Sequence, residues 1–132
     1  MNWRLHWREL LNLIEDTTPR VLIFSDAFRD GVANIVEHAD SVKHILHIDG
    51  KGLPASRYFE KTLSDSILRP VTTETVTEED IACLIFTGGT SGLPKGAQIS
   101  HRMIGWNTLN TIIHDLRHGD ITINSFPLFH TG

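Results

Sequence analysis

The residue types best suited to chemistry gather in one stretch, Phe86-Thr87-Gly88-Gly89-Thr90-Ser91-Gly92-Leu93-Pro94-Lys95-Gly96-Ala97. Glycine reaches backbone conformations closed to other residues and leaves room for close approach. Successive amides in such a stretch can converge on one anion. Thr87, Thr90 and Ser91 add hydroxyl donors, and Lys95 adds a compact positive charge. Pro94 restricts the backbone just before that lysine. This donor set suits a polyphosphate. A turn-rich surface hairpin would carry the glycines alone; hydroxyls and a lysine placed directly after an apolar run point to phosphate binding.

Two familiar nucleotide motifs fail by spacing. A P-loop needs Gly, four residues, Gly-Lys and then Ser or Thr. Here Lys95 follows Pro94 and precedes Gly96, so no hydroxyl stands in the magnesium-holding place. The spacing is not the dinucleotide fingerprint G-x-G-x-x-G either. A P-loop nucleotide hydrolase is therefore disfavoured. His114 and His118 are four apart on an expected helix, but no HExxH pattern surrounds them. They read, like His44 and His47, as ordinary surface or partly buried histidines, and no metal ligands are assigned.

The elements that must position the stretch follow from periodicity. Trp7, Leu10, Leu11 and Ile14 predict an amphipathic helix over about 6–15, with Pro19 beyond its end. Val21–Phe24 is a continuous apolar run, as in a strand buried on both faces. Phe28, Val32, Ile35, Val36 and Ala39 mark a second helix, and Ile45–Ile48 a second strand. Asp49-Gly50-Lys51-Gly52 signals a turn. This order predicts a parallel βαβ unit. Residues 51–76 read as a loop with a short helix near Tyr58–Leu63. Thr77-Glu78-Glu79-Asp80 reads as a cap or turn before a buried strand, Ile81–Phe86, which runs directly into the glycines. A short strand at Ala97–Ile99 follows, and Ser100 can cap the next helix. Trp106, Leu109, Ile113 and Leu116 give that helix an apolar face. His118-Gly119-Asp120 ends it, and Ile121–Phe126 reads as a strand. The fold class is α/β, a partial, mostly parallel sheet with flanking helices.

Composition has the ordinary balance of a folded soluble protein. The 132 residues are 40% hydrophobic and 21% charged, with a formal net charge of -4. No concentrated basic surface favours nucleic acid. Arg4, Arg8 and Glu9 interrupt the N-terminal apolar residues, unlike a signal peptide, and no apolar run is long enough to span a membrane. Cys83 is the single cysteine and reads as a small buried apolar residue. The expected location is cytoplasmic.

The glycine-rich stretch resembles the signature of adenylate-forming (AMP-binding) enzymes, approximately [YF]-T-S-G-[TS]-T-G-x-P-K-G-V. Ser100-His101-Arg102 matches that family's continuation, and Pro127-Leu128-Phe129-His130-Thr131-Gly132 resembles a second family segment at the expected distance. Gly88 replaces a common Ser and removes a hydroxyl, while Ser91 replaces a common Thr and keeps one.

The resemblance implies part of the large N-terminal domain of an acyl-CoA synthetase, an ATP-dependent acid–CoA ligase, with both flanks missing. Such enzymes convert a carboxylic acid and ATP to acyl-adenylate and pyrophosphate, then pass the acyl group to CoA. The implied ATP phosphate-binding residues are Thr87, Gly88, Gly89, Thr90, Ser91, Gly92 and Lys95. His130 is the implied acyl-substrate positioning residue. Magnesium accompanies ATP, with most of its ligands beyond this chain. The adenine and ribose segments and the C-terminal adenylation lysine are also expected beyond it, and Lys95 is not that lysine. No catalytic residue is assigned within the chain, which alone should be poorly stable and inactive. An adenylation module that loads a carrier protein and a non-catalytic phosphate-binding fragment are the alternatives.

Overall fold

The computed structural model describes residues 1–66, 75–87, 94–113, 118–121 and 123. The chain divides into two compact units, Met1–Arg69 and Pro70–Gly132.

In the first unit, helix α1 spans Trp7–Thr17. Its start is capped reciprocally: Arg8 N–H donates to His6 Nδ1 (3.3 Å), and His6 N–H donates to Glu9 Oε2 (2.9 Å). It ends where Thr18 turns left-handed and its N–H donates to Ile14 O (2.8 Å); Pro19 follows. Strand β1, Val21–Phe24, pairs in parallel with β2, His44–His47, from Val21↔His44 to Phe24↔His47. Helix α2, Arg29–His38, lies between them in the chain after a 3-10 turn at Asp26–Phe28. The expected βαβ unit is therefore present.

A two-residue strand β3, Arg57–Tyr58, adds in parallel to β2, giving the order β1-β2-β3. Helix α3, Phe59–Ser64, is the short helix expected near Tyr58. Parallel strands distant in sequence need a shared apolar layer. Ile14 of α1 is fully buried against Ile35 and Ala39, and Phe24, Val32 and Ile45 form a second cluster. Leu22 packs against both clusters.

Burial corrects one reading. The strand Val21–Phe24 is not buried on both faces: Val21 and Ile23 are about half exposed, while Phe24 is buried. Alternate residues of a strand face opposite sides, so α1 and α2 serve only the Leu22 and Phe24 side.

The turn Asp49–Gly52 ties the ends of β1 and β2 together. Ser25 Oγ–H and Asp26 N–H donate to the Asp49 carboxylate (2.9 and 2.5 Å), and Gly52 N–H donates to Asp26 Oδ1 (2.9 Å). Gly52 has φ +63°, and a Cβ there would lie 2.3 Å from His47 Nδ1.

In the second unit, strand β4 spans Ile81–Thr87 and β5 spans Lys95–Ser100. They form an antiparallel pair. Helix α4, His101–Ile113, follows directly. Ser100 caps it as expected, accepting from Met103 N–H (3.3 Å).

Three burial expectations fail in this unit. Ile81 and Leu84 are exposed in the strand expected to be buried, Cys83 is exposed rather than a buried apolar residue, and Trp106 and Leu109 on the apolar face of α4 are exposed. Apolar sequence sets the element; cover must come from another one, and among the described residues of this unit none supplies it. Of the strand expected over Ile121–Phe126, Ile121 and Ile123 are not in a strand, and the other residues lie outside those described. Among the described residues, no helix is long and apolar enough to cross a membrane.

Candidate functional site

The glycine-rich stretch connects the two strands of the hairpin. The ladder runs from Ile81↔Ser100 to Thr87↔Lys95, so the two described members of the expected phosphate set face each other at the end of the hairpin. Thr87 Oγ1–H donates to Lys95 O at 3.4 Å, across the mouth of segment 88–94. Both residues are exposed. Thr87 and Lys95 therefore flank this segment from opposite strands, one at each end. Gly88, Gly89, Thr90, Ser91 and Gly92 lie outside the described residues, as do His114 and His130.

Gly96 has a packing reason within the hairpin. It pairs with Phe86, and a Cβ at Gly96 would lie 3.2 Å from the Phe86 ring. A side chain added there would make the Phe86 ring give by a few tenths of an ångström.

The opposite end of the hairpin is closed by charges and amides that sequence reading did not bring together. The turn Thr77–Asp80 is held by Asp80 Oδ2, which accepts from Thr77 N–H (2.7 Å) and Thr77 Oγ1–H (3.0 Å). Those bonds hold the Asp80 carboxyl below its usual pKa, the Thr77 amide contributing most and its hydroxyl next. The first amides of α4 donate into the same turn: His101 N–H to Asp80 O (3.0 Å) and Arg102 N–H to Glu78 O (2.8 Å). The Arg102 guanidinium pairs with Glu78 (3.4 Å) and with Glu79. The signal in the sequence was opposite charge on the two flanks of the hairpin, readable only once the strands were known to be antiparallel.

Of the remaining histidines, His44 and His118 are exposed. His47 is buried, beyond the partly buried place expected, with Nδ1 2.8 Å from Ser56 Oγ. Ser56 Oγ also accepts from Leu53 N–H and donates to Leu53 O, so this pair is occupied in holding the loop before β3.

Comparison with known proteins places this geometry in a family. The family model described as AMP-binding enzyme matches residues 1–132. The chain is 30% identical to an indoleacetate–CoA ligase of Aromatoleum aromaticum over 100% of its own length and 26% of that protein's. It is 36% identical to a feruloyl-CoA synthase of an Amycolatopsis species, over 98% of this chain and 23% of the relative. The solved structure of ATP-bound MatB from Rhodopseudomonas palustris superimposes with a TM-score of 0.77 at 25% identity, covering 98% of this chain and 25% of that one. The chain thus spans about a quarter of the length of the curated relatives it matches. A strand, a glycine-rich connection carrying Thr87 and Lys95 at its two ends, and a match along the whole sequence lead to one conclusion: the chain belongs to the AMP-binding enzyme family.

Proposed function

We propose that this chain is part of the large N-terminal domain of an ATP-dependent acid–CoA ligase, and that the β4–β5 hairpin holds the polyphosphate of ATP. The observation that carries this reading is the Thr87↔Lys95 pairing, which sets a hydroxyl and an ammonium on the two ends of the glycine-rich segment. The similarity to an indoleacetate–CoA ligase and a feruloyl-CoA synthase supports the reaction class.

In the first step a carboxylate oxygen of the acid bonds to the α-phosphorus of ATP. The bond from that phosphorus to the bridging oxygen breaks, and pyrophosphate leaves with the electron pair. Charge accumulates on the departing pyrophosphate. Donors already oriented toward it lower the barrier, because they need not reorganise as the charge develops. Thr87, Thr90, Ser91, Lys95 and the amides of Gly88, Gly89 and Gly92 are assigned this role. In the second step the CoA thiolate attacks the acyl carbonyl and AMP leaves, giving the thioester. His130 is assigned to positioning the acyl group.

Magnesium belongs with the nucleotide in this reading. The hairpin end supplies a hydroxyl and an ammonium, which suit phosphate oxygens. Glu78, Glu79 and Asp80 are held at the other end by Arg102 and Thr77. A reaction that consumes ATP and CoA is assigned to the cytoplasm, where both are available.

The test is acid-dependent exchange of labelled pyrophosphate into ATP by the full-length protein, begun with indoleacetate and ferulate and extended to fatty acids. Lys95→Ala should lower exchange by roughly a hundredfold, as expected for loss of an oriented charge donor. His130→Ala should change which acids are used. Exchange that needs no acid, or that survives the loss of both Thr90 and Lys95, would sink this reading.

A further inference from the structure

We propose that Arg102, clasped to Glu78 and Glu79, is a positioning residue that sets the register of the phosphate hairpin from its far end; this rests on the nucleotide-binding reading of that hairpin. The ladder has a weak point near its open end. Ile81 pairs with Ser100 and Cys83 pairs with Ile99, so Ala82 is an extra residue in β4. An extra residue of this kind is a bulge, and it marks where one strand can change its pairing by one place. Such a slip exchanges the faces of every side chain beyond it. The pairs beyond it end in Thr87 opposite Lys95, and a one-residue slip would offset them by about 3.3 Å.

The clasp acts on the open side of the bulge. His101 N–H and Arg102 N–H donate to the carbonyls of Asp80 and Glu78, joining the residues before β4 to those after β5. Main-chain bonds accept any side chain and can re-form one place along. The guanidinium cannot: its planar fork engages Glu78 and Glu79 together, and the next carboxylate along, Asp80, is already held by the Thr77 amide and hydroxyl. Arg102 also relieves the repulsion between the adjacent carboxylates, which lie beside the partial positive charge at the start of α4. The clasp thereby keeps Ile81 opposite Ser100, and the bulge stays at Ala82.

Titration of the full-length protein with α,β-methylene-ATP reads nucleotide affinity without acid or CoA. Arg102→Gln should weaken binding on the order of threefold to tenfold, the scale of a pair of surface ion pairs, with Arg102→Lys between it and the wild type. In a Glu78→Gln/Glu79→Gln background, Arg102→Gln should cost nothing further. The wild-type advantage over Arg102→Gln should shrink as salt rises, because all three side chains are exposed. Equal affinity of wild type and Arg102→Gln, additive losses in the double background, or a loss that tracks a fall in the unfolding midpoint would each overturn the clasp. Failure of the wild type to bind the analogue would instead remove the nucleotide reading itself, and the clasp with it.

Discussion

Every buried apolar side chain among the described residues, from Leu13 to Leu46, belongs to the first unit, whereas the second holds its strands and helix by main-chain pairing and caps. The difference follows from strand direction. β1 and β2 are parallel and lie far apart in sequence, so they meet only if α2 crosses between them and an apolar layer fixes it. β4 and β5 are antiparallel and joined by one short segment, so they meet without a crossover helix. The first unit should therefore respond to changes of side-chain volume, and the second to changes in caps and register.

The largest effect should come from Ile14→Ala. Ile14 is fully buried, and its truncation should destabilise the first unit by about 2–5 kcal/mol in urea unfolding. Leu84→Ala, on the exposed strand β4, should cost well under about 1 kcal/mol in the 132-residue chain. Equal costs would erase the comparison.

The same glycine change should have opposite signs in the two units. Gly52→Ala meets both a positive φ and the His47 ring, and should lower stability by about 1–3 kcal/mol. Gly105→Ala, within α4 and with nothing within 4 Å of the added carbon, should raise it by up to about 1 kcal/mol. Thermal melts of both variants read the signs directly.

Ser100→Ala should cost about 1 kcal/mol and loosen the first turn of α4, visible as faster amide exchange at Met103. A change confined to the first unit would contradict the assignment of caps to the second.

Acid provides the finest test, because among the described residues each unit holds one depressed carboxyl. Asp49 is lowered chiefly by the Asp26 amide, then by the Ser25 hydroxyl, and Asp80 chiefly by the Thr77 amide, then by its hydroxyl. A carboxyl with a depressed folded pKa stabilises fully above its ordinary value of 3.8, and the benefit disappears as pH falls through the lower folded value. Asp49→Asn and Asp80→Asn should each flatten the stability profile below that value, and only in the variant's own unit. Acid titration followed by circular dichroism and by amide exchange distinguishes the two.

Much of this was legible from residue patterns. Val21–Phe24 matched a strand because four consecutive apolar residues bounded by Arg20 and Ser25 leave little else. Ser100 was readable as a cap because a hydroxyl residue preceded a helical pattern. Burial was less legible. An apolar run sets an element's preference, but Cys83 and Leu84 show that it does not supply the neighbour that would cover it. β3 escaped notice because two residues, one of them Arg57, carry no alternation. Thr87 and Lys95 were readable as a set from their types, but their pairing across the hairpin was not, because strand direction is a property of the fold. The clasp was hidden for the same reason: Glu78 and Arg102 are neighbours only in an antiparallel ladder.

The Thr87↔Lys95 pair has one further consequence, for the chain entropy of ligand capture. A free segment the length of 88–94 would lose on the order of 2 kcal/mol in bringing its ends together. Strand pairing has already joined them, so in the proposed phosphate-binding reading a polyphosphate would meet a closed loop rather than an open tether. In that reading capture can be fast, because no distant part of the chain must first find another.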